Sequence, residues 1–565
     1  MQTSETSGGV PPNRPGASVA VLSPGLIPWG RGLLGDSRKA RWLLLTLFTV
    51  SIAVRLSQTV NNDVAWYVYS AGAWLDGGRL YRDIFFEVNP PLTLYLTAPA
   101  VYLARFAGLF PVHVYLVYVF VLIALSLALF QRVLAQLPSA SPASVRGLVF
   151  AGLLALVIAP AGDFGQREHL MMILCLPYVA LLAQRASGGI FGWPLAAVIG
   201  AMAGLGFAIK PHFLFVLLAI ELYLLLRSRR LVACFRPETA TLAASGLLYG
   251  ASLILVTPDY LTSVVPYALE VYNANYRNSL GFVLARKETF LVPLTVSLYL
   301  TIRRRQRLGG LADVFLIAVV CFFAVYLVQM KGWNYQIYPV TAWLVMSFAV
   351  VIAGAPGEDS AAPPVLDRAG RPILRLAAFA MIGIIVLKPL AFAGNNYPLT
   401  NYLRPMVKEH ASGDSIYFFS SNTWAGFPLV TYGGVEWASR FPALWLLPGL
   451  VNYRRGESEQ ASAEREAMME QIERFVTDAL VSDLTRNSPA LIMVDARPEK
   501  QWYSEPGFDF IAYFSVDPRF RALWSRYEKI EEAEGWQVYR RCDAACGAGR
   551  PRLHSPGESP AGQRG

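Results

Sequence analysis

Apolar runs recur along the chain, separated by short polar breaks, and this pattern predicts transmembrane helices rather than a soluble core. Runs near 42–58, 113–136, 146–161, 169–185, 190–209, 211–226, 231–256, 289–302, 311–329, 335–354 and 373–393 give about eleven candidate spans. Several are shorter than the roughly 20 residues a crossing needs, which predicts helices ending inside a cavity. A further apolar run, 91–109, opens on Pro90-Pro91 and reads as an interfacial or re-entrant helix; the alternative is a true crossing with another span miscounted. After residue 393 the period changes. Ser415–Phe419 and Ala490–Asp495 read as short buried strands, and Trp536–Arg540 as a closing strand. Between them, Glu464–Val481 carries Met468, Ile472, Phe475 and Leu480 near helical spacing. The expected fold is therefore a polytopic α-helical membrane protein with interfacial helices in its first external loop and a small C-terminal α/β domain outside the membrane.

Charge sets the orientation. The 565 residues are 54% hydrophobic and 16% charged, with a net charge of +10 and pI near 9.3. A basic balance can signal nucleic acid, but here the cations cluster between apolar runs, where the positive-inside rule puts them. Nucleic acid is accordingly not an expected partner. The clusters are Arg38, Lys39 and Arg41; Arg132 and Arg146; Arg227, Arg229 and Arg230; Arg303, Arg304, Arg305 and Arg307; and Arg368, Arg371 and Arg375. All fall inside if the spans alternate strictly and 91–109 does not cross. That parity makes 1–40 a disordered cytoplasmic tail, 41–393 the membrane domain with an external loop at 59–112, 394–541 an extracytoplasmic domain, and 542–565 a disordered tail. The N-terminal segment lacks the layout of a signal peptide. Cys175, Cys234 and Cys321 read as small core residues, whereas Cys542 and Cys546 are suited to a disulfide on an oxidising face.

With this parity the polar motifs share the outer face. Charges beside hydrocarbon are costly, so such a collection marks a functional site. The first loop holds Asp63-x3-Tyr67, then Gly77-Gly78-x-Leu80-Tyr81-Arg82-Asp83, then Glu87-x-Asn89-Pro90-Pro91-Leu92. It resembles the first loop of the GT-C superfamily of polytopic glycosyltransferases, in the protein-mannosyltransferase and aminoarabinose-transferase branch. The likeness extends to the membrane layout and to a soluble domain after the last span. It implies a bacterial inner-membrane enzyme that transfers a sugar, with inversion, from a polyprenyl-phosphate donor to a lipid, glycan or protein acceptor at the outer face.

By that resemblance Asp63 occupies the catalytic position, as the base for the acceptor hydroxyl; alternatively it only caps a helix. Tyr67, Arg82, Asp83, Glu87 and Asn89 are candidate substrate contacts from the same loop. Asp163-Phe164-Gly165-Gln166-Arg167-Glu168-His169 opens a short helix with too many polar groups to be explained by packing. One reading places Asp163, Gln166, Glu168 and His169 on substrate and Arg167 on the donor phosphate. A second makes Asp163, Glu168 and His169 a divalent-metal site, although no cofactor is required; a third is a capped helix with an interfacial ion pair. Lys210, His212 and Lys331 are candidate phosphate ligands, since fixed cations stabilise a developing phosphate leaving group. Trp333 and Gln336 are candidate sugar contacts. Trp424, Trp437 and Trp445 read either as exposed carbohydrate platforms or as core. A transporter or flippase, or an enzyme of the O-antigen-ligase kind, is the rival class; a transporter would show paired repeats and broken helices at mid-depth. Reporter fusions check the parity: after Arg230 and Arg307 they should report cytoplasm, and after residue 109 the outer face. An outer-face signal at either arginine cluster overturns the topology.

Overall fold

The computed structural model describes residues 37–542 except 138–139, 304–309, 354–369, 392–394, 457–461 and 505. Most of both tails, Cys546, and the basic residues Arg304, Arg305, Arg307 and Arg368 lie outside the described residues.

Every predicted apolar run within them is a helix. In chain order these are α1 (Ser37–Leu56), α2 (Asn62–Leu75), α3 (Leu92–Ala107), α4 (Pro111–Ala135), α5 (Pro142–Leu153), α6 (Arg167–Ala186), α7 (Trp193–Ala208), α8 (Phe213–Ser228) and α9 (Pro237–Leu255). Helices Lys287–Arg303, Gly310–Gln329, Asn334–Ala353 and Gly370–Ala391 follow. Proline at the first turn starts α4, α5, α7 and α9, where its missing N–H costs nothing. Among the described residues five helices are long and apolar enough to cross a membrane, namely Pro111–Ala135, Arg167–Ala186, Pro237–Leu255, Gly310–Gln329 and Asn334–Ile352; the others are shorter or more polar. The helices thus fall where the hydropathy puts them, but the expected eleven crossings are not all matched by spans of full length.

α6 is the central helix, buried from Arg167 to Gln184. α7 and α9 pack so closely that a Cβ on Gly200 would come within 2.0 Å of the Glu238 carbonyl oxygen. On the outside, Leu218, Leu222 and Leu226 of α8 and Leu247, Leu248 and Leu255 of α9 are exposed. Apolar surface on this scale suits lipid, not water. In α3, Leu94, Ala98, Val101 and Ala104 are buried, whereas Tyr102, Leu103 and Phe106 are exposed. Its 16 residues extend only about 24 Å, less than the ~30 Å hydrocarbon core. An interfacial position fits that length.

The C-terminal residues form a five-stranded sheet in the order β2-β1-β3-β5-β4. The strands are β1 (Ser415–Phe419), β2 (Glu436–Trp437), β3 (Leu491–Asp495), β4 (Tyr527–Ala533) and β5 (Trp536–Arg541). β1 runs parallel to β2 and β3, and β5 antiparallel to β3 and β4. The expected strands and the helix Ala463–Asn487 are present. β2 and β4 are additional: β2 has two residues, and β4 is a half-exposed edge rich in Glu, which protects against edge pairing but leaves no hydrophobic signal. Trp437 is buried core, whereas Trp424 and the buried Trp445 line the cavity described below. Cys175, Cys234 and Cys321 are free thiols, and Cys542 is disulfide-bonded.

The sheet domain is fastened to the first loop. Trp445 Nε1 donates to the Phe86 carbonyl (2.9 Å), and Phe86 N donates to the Arg440 carbonyl (2.7 Å). Arg440 is held by a buried ion pair with Asp483 (2.7 Å). Tyr69 OH accepts from Trp437 N at 2.7 Å.

Candidate functional site

The site starts from the way α2 and α6 begin. Asn61, not Asp63, caps α2, its Oδ1 accepting the Asp63 N–H at 2.8 Å. The Asp63 carboxylate is therefore released from capping and turns inward. α6 opens with Arg167, a cation at the positive end of a helix, where it is unfavourable unless anions surround it. They do. Arg167 donates to Asp63 Oδ2 (2.6 Å), Tyr67 OH (2.8 Å) and Glu87 Oε1 (3.2 Å). Glu87 arrives from the first loop, where Tyr81 and Phe85 adopt left-handed backbone angles (φ 62° and 57°), a strain characteristic of functional loops. Trp66 Nε1 (2.8 Å), Tyr67 OH (3.1 Å) and Asn89 Nδ2 also donate to Glu87. Burial raises the Glu87 carboxyl pKa against the pull of Arg167.

A second layer lies behind the first. Lys210 pairs with Glu168, with 8% and 2% of their side chains exposed. Arg167 and Lys210 flank the same Tyr335 ring, at 5.4 and 5.2 Å from its centre. Lys331 Nζ lies 3.8 Å from the Tyr272 ring centre and 5.0 Å from that of Trp333. It has no carboxylate partner among the described residues. Burial, followed by repulsion from Lys210 and Arg167, lowers its pKa to about 7. Asp163 accepts from Asn61 Nδ2 (3.1 Å). Burial and the nearby Glu168 and Asp63 push its pKa up to about 7. Arg167, Lys210 and Lys331, far apart in sequence, therefore converge, and none points into lipid.

Several expected contacts are elsewhere. His169 is a packing residue: Nδ1 accepts from Gly165 N (2.8 Å), Nε2 bonds the Leu156 carbonyl (2.6 Å), and Phe164 and Tyr338 enclose the ring. Both nitrogens are thus engaged within the protein, and Asp163, Glu168 and His169 do not come together as a metal-holding group among the described residues. No group of three or more His, Cys, Asp and Glu is placed to hold a metal among the described residues. Arg82 pairs with Asp259 (2.7 Å) and Asp83 with Arg79 (2.7 Å), closing the outer edge of the loop instead of facing the cluster. Gln336 donates to Gln329 (2.7 Å). Gln166 is buried at the start of α6, with Oε1 unpartnered. His212 has a buried, unpartnered Nε2, and burial, followed by Lys210 and Lys331, lowers its pKa to about 3.

Asp63, Glu87, Asn89, Asp163, Arg167, Trp333 and Tyr335 line a cavity of about 390 Å³ whose opposite wall comes from the sheet domain: Ser421, Asn422, Thr423, Trp424, Gln501 and Trp502. Lys210 and Lys331 stand behind its aromatic lining. A neighbouring cavity of about 690 Å³ shares Asn62, Asp163, Arg286, Asn334 and Trp424 with it. One clue to the sheet-domain wall was legible in the strand pattern. These residues follow β1 and β3, and ligands collect at the carboxyl ends of parallel strands.

No family model matches the sequence, and no curated protein matches it. Solved structures do. ArnT from Cupriavidus metallidurans bound to undecaprenyl phosphate superposes with a TM-score of 0.54 at 12% identity, over 89% of this chain and 98% of that one. The apo structure of the same protein gives 0.49 at 14% identity, with the same shares covered. The first likeness establishes that this chain shares the fold of ArnT.

The Arg167 cluster makes a sharp prediction. Arg167→Met should destabilise the protein by roughly 3–5 kcal/mol, because it strands two buried carboxylates. Adding Glu87→Gln should recover part of the loss, a non-additivity readable in thermal unfolding of the detergent-solubilised protein. A cost no greater than that of a surface substitution would show that Arg167 does not hold the two acids together.

Proposed function

We propose that the protein is a membrane glycosyltransferase that transfers a sugar from a polyprenyl-phosphate donor to a lipid, glycan or protein acceptor at the outer face of a bacterial inner membrane, with the N-terminus cytoplasmic and the sheet domain outside. One observation carries the reading: an aromatic-walled cavity holds the Asp63 carboxylate at one end and an unpaired lysine close behind its wall. The fold shared with ArnT, solved with undecaprenyl phosphate, supports a lipid-linked donor.

In this reading the acceptor hydroxyl attacks the anomeric carbon and the bond from that carbon to the phosphate oxygen breaks, inverting the configuration. Asp63 takes the hydroxyl proton. The ion pair with Arg167 fixes the Asp63 carboxylate, one oxygen of which also accepts from Asn62 Nδ2 (2.8 Å). The electron pair leaves on the lipid phosphate. Lys331 offsets that charge, with Arg167 and Lys210 adding positive potential across Tyr335. Glu87 and Glu168 position these cations. No step requires a metal.

Two measurements test this. Asp63→Asn, which leaves Glu87 to pair with Arg167, should lower the melting temperature but leave the protein folded and the donor-induced thermal shift intact, while lowering turnover by about 10²–10⁴-fold, the range for loss of a general base. Near-normal turnover would exclude Asp63 as the base. Donor affinity should also depend on pH. Below about pH 7 Lys331 is charged and binds phosphate; above it the charge is lost, so affinity falls as pH rises. Lys331→Arg, which stays charged, should flatten that profile. A slope that survives in Lys331→Arg and disappears in Asp163→Asn would assign the titration to Asp163 instead.

A further inference from the structure

The cavity wall contributed by the sheet domain is unlike the wall contributed by the helices. Ser421 and Asn422 line it, are 7% and 9% exposed, and their side-chain hydroxyl and amide have no hydrogen-bond partner among the described residues. Their polar atoms stay accessible from the cavity, where they can donate to and accept from the hydroxyls of a ligand. Beside them, Trp502 sits in the left-handed region at φ 78°. A bulky residue is rarely found there, and the strain persists only where the surroundings impose it. Here two amides do so: Asn275 Nδ2 (3.2 Å) and Asn452 Nδ2 (2.8 Å) both donate to the Trp502 carbonyl. The ring is half-buried, edge-on to Trp333 at 6.1 Å and tilted against Tyr276 at 4.9 Å, and lines the cavity.

This wall is also electrically neutral. The charged lining residues are Asp63, Glu87, Asp163, Arg167 and Arg286, all from the helical part. The first two acids are paired with Arg167, Asp163 accepts from Asn61, and Arg286 donates to Asn334 and the Gly332 carbonyl. Charges on the strand-end loops themselves are engaged elsewhere. Asp495 and Arg497 pair with each other (2.6 Å), and Lys500 donates to the Arg497 and Phe508 carbonyls.

We propose that the loops after β1 and β3 form the sugar-binding half of the cavity, with Trp502 as stacking face and Ser421 and Asn422 as hydroxyl partners, and that they select an uncharged sugar on the donor. The inference rests on the donor reading above and adds the substrate class. A pyranose offers an apolar C–H face to an aromatic ring and hydroxyls to a polar edge. A cationic amino sugar or an anionic uronic sugar would meet no opposite charge on this wall and would lose solvation there. The cavity's 390 Å³ is at the small end for ligand sites, in keeping with a single sugar rather than an oligosaccharide.

The test uses the full-length protein in nanodiscs and measures affinity for four lipids: undecaprenyl phosphate, and its neutral hexose, amino-pentose and uronic-acid derivatives. The neutral hexose should bind about tenfold or more tighter than either charged derivative. Trp502→Gly, which suits the left-handed backbone, should keep the melting temperature, weaken the hexose lipid about tenfold and leave undecaprenyl phosphate unchanged. Asn422→Asp, which puts one negative charge on the wall, should shift preference toward the amino sugar. A charged derivative binding as tightly as the hexose overturns the proposal, as does a Trp502→Gly variant that binds every lipid as before or weakens all of them equally. If none of the four binds, the donor reading itself falls, a result distinct from a mere change in preference.

Discussion

Everything at this site depends on burying one guanidinium. Arg167 occupies the first turn of the most buried helix, where both desolvation and the helix dipole oppose it. Two carboxylates and a phenol from the first loop make the position tenable, and the consequence is geometric: α2, the loop carrying Glu87, and α6 can meet in one way only. Buried ion pairs add little net stability over apolar packing of the same shape. The cluster is better understood as a device that fixes the Asp63 carboxylate beside a cavity.

The first loop is the structural hinge between the two halves of the molecule. Its inner side supplies Asp63 and Glu87 to the helical bundle. Its outer side offers Phe86, whose amide and carbonyl are both bonded by the sheet domain. The domain is thereby pinned directly above the cluster, and the carboxyl ends of β1 and β3 become a wall of the cavity. A lipid-embedded bundle cannot easily build a polar pocket in hydrocarbon. Here the pocket lies at the end of the bundle, against the sheet domain, which supplies its polar wall with ordinary packing.

Charge is distributed accordingly. Asp63 and Glu87 share Arg167, Glu168 has Lys210, and Lys331 has no carboxylate partner among the described residues. Lys331 and Asp163 both titrate near neutrality for the same basic reason, desolvation augmented by like charges nearby. Such perturbed groups concentrate at functional sites. His169 and His212, by contrast, are buried imidazoles that answer to local packing and local charge.

The amino-acid order alone determined the positions of the apolar helices, the three central strands of the sheet and the candidacy of Asp63, Glu87, Arg167 and Lys331, which the fold brings into one region. Hydrophobic period and the cost of charge beside hydrocarbon are local properties, and they are written in consecutive residues. It did not determine which polar residues face each other. Arg82 and Asp83 lie within five residues of Glu87 yet point to Asp259 and Arg79, because the loop reverses between them. His169 is two residues from Arg167 but faces the opposite side of α6, where Phe164 and Tyr338 close over it. The capping of α2 by Asn61 rather than Asp63 turned on a difference of two positions. The edge strand β4 escaped notice because its charged, half-exposed residues carry no alternation. Trp502 and Asn422 were invisible for a different reason: they reach the site only when β1 and β3 lie side by side, a pairing of residues some 75 apart that tertiary packing alone creates.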